Sequence, residues 1–176
     1  MNITIQDAKP EDVTETSKVF RECWLDTYPN KEHGITHEDI EYFYKDSLAP
    51  EALSKKRSQI ENISPNEKYF TAKEDGKIIG VCRLIKHPDK NELKSIYIMS
   101  AYRGKGIGKL FWNEAIKFFD PTKDIVVTVA TYNRGAIGFY TKLGFVDTWR
   151  RFTDEKFRMK SGSIVPDLEM IKRAKI

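Results

Sequence analysis

With 176 residues, of which 40% are apolar and 32% charged, the chain has the size and composition of one soluble domain with a sizeable core. It has neither an apolar run near the roughly 20 residues that span a bilayer nor an N-terminus of secretory type. The net charge of +4 is compatible with an anionic ligand, but Lys and Arg are scattered among acids, which argues against a nucleic-acid partner. We therefore expect a single cytoplasmic domain, residues 1–176, with no membrane or nucleic-acid partner.

The first half of the chain predicts one strand and three helices. Ile3 and Ile5 alternate with polar residues, as in a strand. Pro10 suits the first position of a helix, which is expected to end near Tyr28. Two further helices are expected, from Thr36, as its N-cap, to about residue 45, and at residues 50–60.

The second half predicts a sheet interrupted by two helices. A hairpin turn, Glu74-Asp75-Gly76-Lys77, joins two apolar strands, and the β-branched run 125–129 predicts a strand buried on both faces. Further strands are expected at 93–99, 145–152 and 168–171, and helices at 108–119 and 133–142. This order of strands and helices indicates an α/β sheet with some parallel neighbours.

The two cysteines, Cys23 and Cys82, lie far apart in sequence, each within an apolar segment. Such segments predict reduced, buried thiols, since a metal site or a disulfide would need more ligands or closer spacing. We expect no bound metal.

A glycine-rich segment precedes the helix at 108–119. It reads Arg103-Gly104-Lys105-Gly106-Ile107-Gly108-Lys109. Its glycines let the backbone turn sharply and approach a ligand. The free N–H groups at a helix start, together with three basic side chains, predict a site for an anion such as pyrophosphate. A glycine-rich surface turn is the alternative explanation.

Two other phosphate-binding motifs are excluded by their spacing. A Walker A loop needs four residues between its glycines and a Ser or Thr after its Lys, but only three separate Gly104 from Gly108, and Leu110 follows Lys109. A dinucleotide fingerprint needs a glycine three positions after Gly106, where Lys109 stands. Neither an NTPase nor a dehydrogenase is indicated.

This loop and a second segment together resemble the GNAT acetyltransferases. Arg103, Gly106 and Gly108 match the family's acetyl-CoA loop, Arg/Gln-x-x-Gly-x-Gly/Ala, and residues 133–145 match its Asn-x-x-Ala-x-x-Phe-Tyr-x-x-x-Gly-Phe segment. Residues 92–98 resemble the family's fourth strand, so the resemblance covers roughly residues 92 to 146. It implies the GNAT fold, an α/β architecture with a mixed, mostly antiparallel sheet splayed between its fourth and fifth strands and flanked by helices.

The resemblance also implies a reaction and a set of binding residues. The reaction is direct transfer of an acetyl group from acetyl-CoA, the co-substrate, to a primary amine. The pyrophosphate would be held by the loop that follows Arg103, namely Gly104, Lys105, Gly106, Ile107, Gly108 and Lys109. The pantetheine arm and thioester carbonyl would be bound by the backbone of Ile96, Tyr97 and Ile98 and by the side-chain amide of Asn133.

Two residues are expected to move protons. Tyr140, which the resemblance points at the coenzyme sulfur, can protonate the leaving thiolate, since a tyrosine has a pKa of about 10. Packing beside Phe139 is the alternative reading of its position. Glu92 is the expected base, because some GNAT enzymes carry a catalytic Glu at about that place, and strict alternation puts it on one face with Ile96 and Ile98. A surface charge, with water as the base, is the alternative.

Of the parts of the proposed reaction, the amine acceptor is the one that the sequence determines least. Acidic residues of the first two helices and their connection predict a wall suited to a cationic amine, although acids are also common on solvated helix surfaces. They are Asp26, Glu32, Glu38, Asp39, Glu41 and Asp46. Trp24, Tyr28, Tyr42 and Tyr44 either line a slot or belong to the core.

Residues 24–28 and 167–170 resemble the PaiA-like spermidine/spermine (polyamine) N-acetyltransferases. The alternatives are acetylation of a protein N-terminus or lysine, and an acyl-CoA-binding sensor without catalysis, against which Tyr140 argues. A homodimer is an assembly that the resemblance allows.

Overall fold

The computed structural model describes residues 2–174, and its elements follow the predicted order. The strands are β1 (Ile3–Asp7), β2 (Glu67–Glu74), β3 (Lys77–Lys86), β4 (Asn91–Ile98), β5 (Ile125–Ala130), β6 (Val146–Phe152) and β7 (Asp167–Lys172). The helices are α1 (Val13–Thr27), α2 (His37–Phe43), α3 (Pro50–Glu61), α4 (Ile107–Phe118) and α5 (Arg134–Lys142). None of these helices is long and apolar enough to cross a bilayer.

The seven strands form one mixed sheet in the order β1-β2-β3-β4-β5-β7-β6. Neighbouring strands are antiparallel except β4 and β5, which run parallel and pair only as far as Leu93 and Val127. Beyond that point β4 continues to Ile98 beside β3 and β5 continues to Ala130 beside β7, but the two strands no longer pair with each other. The two strands therefore splay apart, and the expected GNAT-type sheet is confirmed.

Strand β4 contains one extra residue, Lys94, which has no partner on β3. Such a bulge reverses the alternation of side chains between the two faces. Leu93 and Ile96 consequently pack on the same core cluster, which strict alternation does not allow. The prediction that Glu92 shares a face with Ile96 and Ile98 is therefore wrong.

The two faces of the sheet carry different cores. One face packs under α4 and α5 in the main cluster, which includes Phe111 and Tyr140. The other face packs under α1 and α2 in a cluster rich in aromatic residues, which we call the aromatic cluster. Its members are Trp24, Ile35, Ile40, Ala130, Met159 and Val165, with Leu25, Tyr28, Tyr44, Tyr97, Tyr132 and Phe157 packed against them.

Candidate active site

The gap between β4 and β5 continues into a groove of about 960 Å³. Its lining comes from residues 94–98 of β4, from Thr128 and Val129 of β5, from the loop before α4, from the end of α1 and from α5. All the predicted coenzyme-binding residues except Lys105 line this groove. The ammonium of Lys105 instead lies 4.9 Å from the centre of the Tyr102 ring.

The loop between β4 and α4 has a backbone shaped for an anion. Gly104 and Gly106 have φ angles of 77° and 84°, a left-handed conformation that favours glycine. Within residues 2–174, the amides of residues 104–108 donate no backbone or side-chain hydrogen bond. Five consecutive free N–H groups at a helix start can together donate to phosphate oxygens.

The glycine at position 108 also has a structural role. A Cβ at this position would lie 3.0 Å from ring carbons of Phe139. Because Phe139 belongs to α5, the absence of a side chain at Gly108 leaves room for this ring beside the start of α4. The third glycine of the motif therefore accommodates a residue of the groove wall.

The guanidinium of Arg103 is engaged with the protein. Its Nε donates to the carbonyl oxygen of Ile98 at 2.9 Å, and another guanidinium nitrogen lies 3.4 Å from the carboxylate of Asp26. Arg103 thus ties the end of β4 to the end of α1. Further positive charge in the groove comes from Lys109 at the start of α4 and from Arg134 and Lys142 of α5.

Asn133 is the N-cap of α5. Its side-chain oxygen accepts a hydrogen bond from the amide of Ala136 at 3.1 Å, which satisfies one of the free donors at the helix start. Its Nδ2 group remains as a donor on the groove wall, where a carbonyl of the pantetheine arm could accept from it.

Tyr140 lies on α5 with 5% of its surface exposed, and its ring packs against Phe139 and Phe145. It lines the groove, and its hydroxyl has no hydrogen-bond partner among the described residues. Burial raises the pKa of Tyr140 above its usual value, and the nearby Cys82 and Tyr97 add to the effect. The hydroxyl is therefore protonated at neutral pH and free to donate.

Glu92 lies outside the groove wall, at the closed end of the splay where it pairs with Val126. Its carboxylate is 2.7 Å from Nε2 of His87 and 3.0 Å from the ammonium of Lys94. Burial opposes its charge, but the hydrogen bonds from His87 and Lys94 outweigh that effect and lower the pKa of Glu92. Glu92 is ionised at neutral pH, and both its oxygens are occupied.

The aromatic cluster contains a network of hydrogen-bonded hydroxyl groups that the sequence did not predict. The indole N–H of Trp24 donates to the hydroxyl of Tyr97 at 3.1 Å, and the hydroxyls of Tyr97 and Tyr28 lie 3.0 Å apart. Tyr132 donates its hydroxyl to the carbonyl oxygen of Tyr28 at 2.8 Å. These residues come from α1, β4 and the loop after β5, so no local pattern could have indicated that they meet.

The predicted acidic wall does not form. Of its six residues only Asp26 lines the groove, and it pairs with Arg103. Asp39 is buried as the capping-box residue of α2, bonded to Thr36 and to the amide of Ser161. Several of the others are solvated or paired locally, as Glu41 is with Arg21 at 3.7 Å.

Comparisons with known proteins agree with this architecture. Residues 18–145 match the family model described as acetyltransferase (GNAT) family. The chain is 29% identical to a probable N-acetyltransferase of Mycobacterium tuberculosis, over 94% of this chain and 90% of that protein.

Solved structures give the same result. The PaiA N-acetyltransferase from Thermoplasma acidophilum, solved in complex with coenzyme A, is 26% identical, with a TM-score of 0.75 and coverage of 98% of this chain and 99% of that one. The ribosomal-protein-S18-alanine N-acetyltransferase from Escherichia coli is 15% identical, with a TM-score of 0.67 and coverage of 99% and 96%, which shows a shared fold.

Proposed function

This chain belongs to the acetyltransferase (GNAT) family, and from that premise we propose that it transfers the acetyl group of acetyl-CoA to the primary amine of a small cationic acceptor such as a polyamine. The observation that carries the proposal is that Gly104 and residues 106–108, whose amides donate no hydrogen bond within residues 2–174, line the same groove as Tyr140 with its free hydroxyl. The first suits the coenzyme's pyrophosphate, and the second suits the sulfur that leaves.

The loop residues fit the pyrophosphate. A Cβ added at Gly104 or Gly106 would have no atom within 4 Å, so open space borders the backbone where phosphate oxygens would approach. In our proposal the amides of residues 104–108 donate to those oxygens, aided by the positive end of α4. Lys109 supplies charge, whereas Arg103 acts by holding β4 against α1.

The open edge of β4 would bind the pantetheine arm. Past Leu93 this edge has no strand partner on the side of β5. Backbone groups from Ile96 to Ile98 can therefore form hydrogen bonds with the arm, as they would with a neighbouring strand. The Nδ2 group of Asn133 donates from the opposite wall. Acetyl-CoA, once bound, supplies the thioester that reacts.

Three tasks then fall to the protein. Backbone donors of β4 stabilise the oxyanion that forms when the amine attacks the thioester carbonyl. Tyr140 donates its hydroxyl proton to the departing sulfur. An alkyl ammonium has a pKa of about 10.4, so the acceptor must lose a proton before it attacks. We propose that Glu92 accepts this proton through a water molecule, because both carboxylate oxygens of Glu92 already contact His87 and Lys94.

Polar groups at the acceptor end support a small cationic amine. Asp26, Tyr28, Tyr97 and Tyr132 line the groove where α1 ends, and the nearby Arg103 is paired with Asp26. We also propose a cytoplasmic location, supported by the two free cysteines. A protein N-terminus or lysine is the second candidate acceptor, and the assay below includes it.

The test is an acceptor panel with acetyl-CoA, read by release of free CoA thiol and by product mass. Spermidine should be acetylated faster than an aromatic amine that is neutral at pH 7, and added salt should reduce the difference. Peptides with a free N-terminus or lysine complete the panel, and thiol release without any amine is the control. Equal rates for cationic and neutral amines, or faster acetylation of peptides, would contradict the proposed acceptor class.

A further inference from the structure

Glu92 and Thr128 lie on the same face of the sheet, on either side of the point where β4 and β5 separate. The last residues that pair, Leu93 and Val127, both pack in the main cluster. Because Glu92 precedes Leu93 and Thr128 follows Val127, alternation turns both side chains to the opposite face, which carries the aromatic cluster. Glu92 is thus the last residue of this face before the splay, and Thr128 is the first one beyond it on β5.

The side chain of Thr128 is open to the groove. The residue is exposed although it lies between two buried valines, Val127 and Val129, and it lines the groove. Its hydroxyl makes no hydrogen bond with any other group of residues 2–174. A threonine hydroxyl can donate to a water molecule or accept from one, so the β5 wall of the groove offers a free anchor for water.

Glu92 does not line the groove, so a base at this position needs a link to the acceptor. The charged groups that face its carboxylate are His87 and Lys94, whereas its register partners on the neighbouring strands, Ile85 and Val126, are uncharged. Each carboxylate oxygen contacts one of the two charged groups, and its second lone pair can still accept from a water molecule.

Residues diagonally opposite each other on neighbouring strands lie roughly 7–8 Å apart, a gap that one water molecule bonded to both side chains can bridge. We propose that the hydroxyl of Thr128 positions the water molecule through which the acceptor loses its proton to Glu92. This inference rests on the proposed amine acetylation, with Glu92 as its base. As the ammonium N–H bond breaks, the water takes that proton and passes one of its own to Glu92, which later releases it to solvent. The nitrogen keeps the electron pair with which it attacks the thioester.

Thr128→Val tests this assignment, because it removes the hydroxyl and keeps the branched shape of the side chain. We expect kcat/KM for spermidine at pH 7 to fall by about tenfold or more, since the proton acceptor is no longer linked to the amine. Activity should recover as the pH rises and the free amine becomes abundant. Thr128→Ser keeps a hydroxyl and should restore both the rate and the pH profile. CoA affinity, measured by calorimetry, should be unaffected in both variants.

Ser95→Ala is the matched control. Ser95 precedes Ile96, which packs in the main cluster, so this serine lies on the same face as Thr128 but on the β4 wall of the groove. Its hydroxyl oxygen is shielded from solvent and therefore cannot hold a water molecule. The variant should keep the wild-type rate and pH profile.

A double-mutant cycle separates positioning from a purely structural role. If Thr128 acts through Glu92, Thr128→Val should cause no further loss in the Glu92→Gln background. The inference is overturned if Thr128→Val keeps the wild-type profile, if Thr128→Ser does not restore it, or if Thr128→Val costs as much in the Glu92→Gln background as in the wild type. Absence of acetylation of any amine by the wild type would instead contradict the proposed function, and this inference with it.

Discussion

The indole N–H of Trp24 donates to the hydroxyl oxygen of Tyr97 at 3.1 Å, across 73 positions of sequence. Trp24 lies on α1, and Tyr97 lies on the part of β4 that has separated from β5. Tyr28, near the end of α1, shares the same hydroxyl at 3.0 Å. These hydrogen bonds thus tie the part of β4 that has separated from β5 to α1, and the tied residues Tyr28 and Tyr97 both line the groove.

Tyr97→Phe tests how much this network stabilises the protein. The substitution keeps the ring but leaves the indole N–H of Trp24 and the hydroxyl of Tyr28 without their partner. We expect a loss of about 1–3 kcal/mol in the free energy of unfolding, measured by urea denaturation, because unsatisfied buried polar groups are costly. Tyr42→Phe, at a ring that is 43% exposed, should change stability by less than about 0.5 kcal/mol. Equal effects of the two substitutions would contradict the network's role.

Gly106→Val tests the anion site. Gly106 has a φ of 84°, and a valine there would both strain the loop and fill the space beside the free amides. We expect CoA affinity to fall by at least about tenfold in calorimetry, equivalent to about 1.4 kcal/mol. Gly76→Val is matched, since Gly76 has a φ of 82°, open space at its Cβ, and a place in the β2–β3 turn. It should cost comparable stability and leave CoA affinity intact. Unchanged CoA affinity in Gly106→Val would show that the loop is a surface turn and not the anion site.

Burial raises the pKa of Asp167, the first residue of β7, which predicts a dependence of stability on pH. In the unfolded chain an Asp titrates near 3.8, and in the folded protein near 6, so the folded state binds more protons between these values. The contribution of Asp167 to stability is fully present below pH 3.8 and is lost as the pH rises through about 6. Asp167→Asn should therefore gain thermal stability relative to the wild type from pH 5 to pH 8. A difference in Tm that stays constant over this range would show that Asp167 is not desolvated.

Glu92→Gln tests the proposed base. If Glu92 accepts the proton of the acceptor, the variant should be slow at neutral pH and recover as the pH rises, because the free amine then becomes abundant. The pH profile of kcat/KM measures this. His87→Gln, which removes one partner of Glu92 and keeps its carboxylate, is the control and should retain the wild-type shape. An unchanged profile in Glu92→Gln would leave water as the base.

The order of strands and helices was predictable because local signals mark it. Asp75-Gly76 marks the hairpin, and the run at residues 125–129 marks a strand buried on both faces. The bulge at Lys94 was not predictable, because no local residue pattern shows that β3 skips this position. That single residue changed the face assigned to Glu92.

The coenzyme side of the site was more predictable than the acceptor side. The loop around Gly106 is contiguous, so its residues carry the pattern together. Asp39 was assigned to an acidic wall by charge alone, although Thr36 three positions earlier marks it as a capping residue. Trp24 and Tyr97 meet only through the tertiary fold, and nothing in either segment predicts this contact.

Tyr140→Phe is the most direct test of the central claim, that this groove transfers an acetyl group with Tyr140 as the proton donor. The variant keeps the packed ring and loses only a hydroxyl that has no protein partner among residues 2–174. The measurement is kcat for CoA release with acetyl-CoA and spermidine, with CoA affinity measured in parallel. We predict a fall in kcat of about 10²- to 10⁴-fold with nearly unchanged CoA affinity. A kcat equal to that of the wild type would contradict the account.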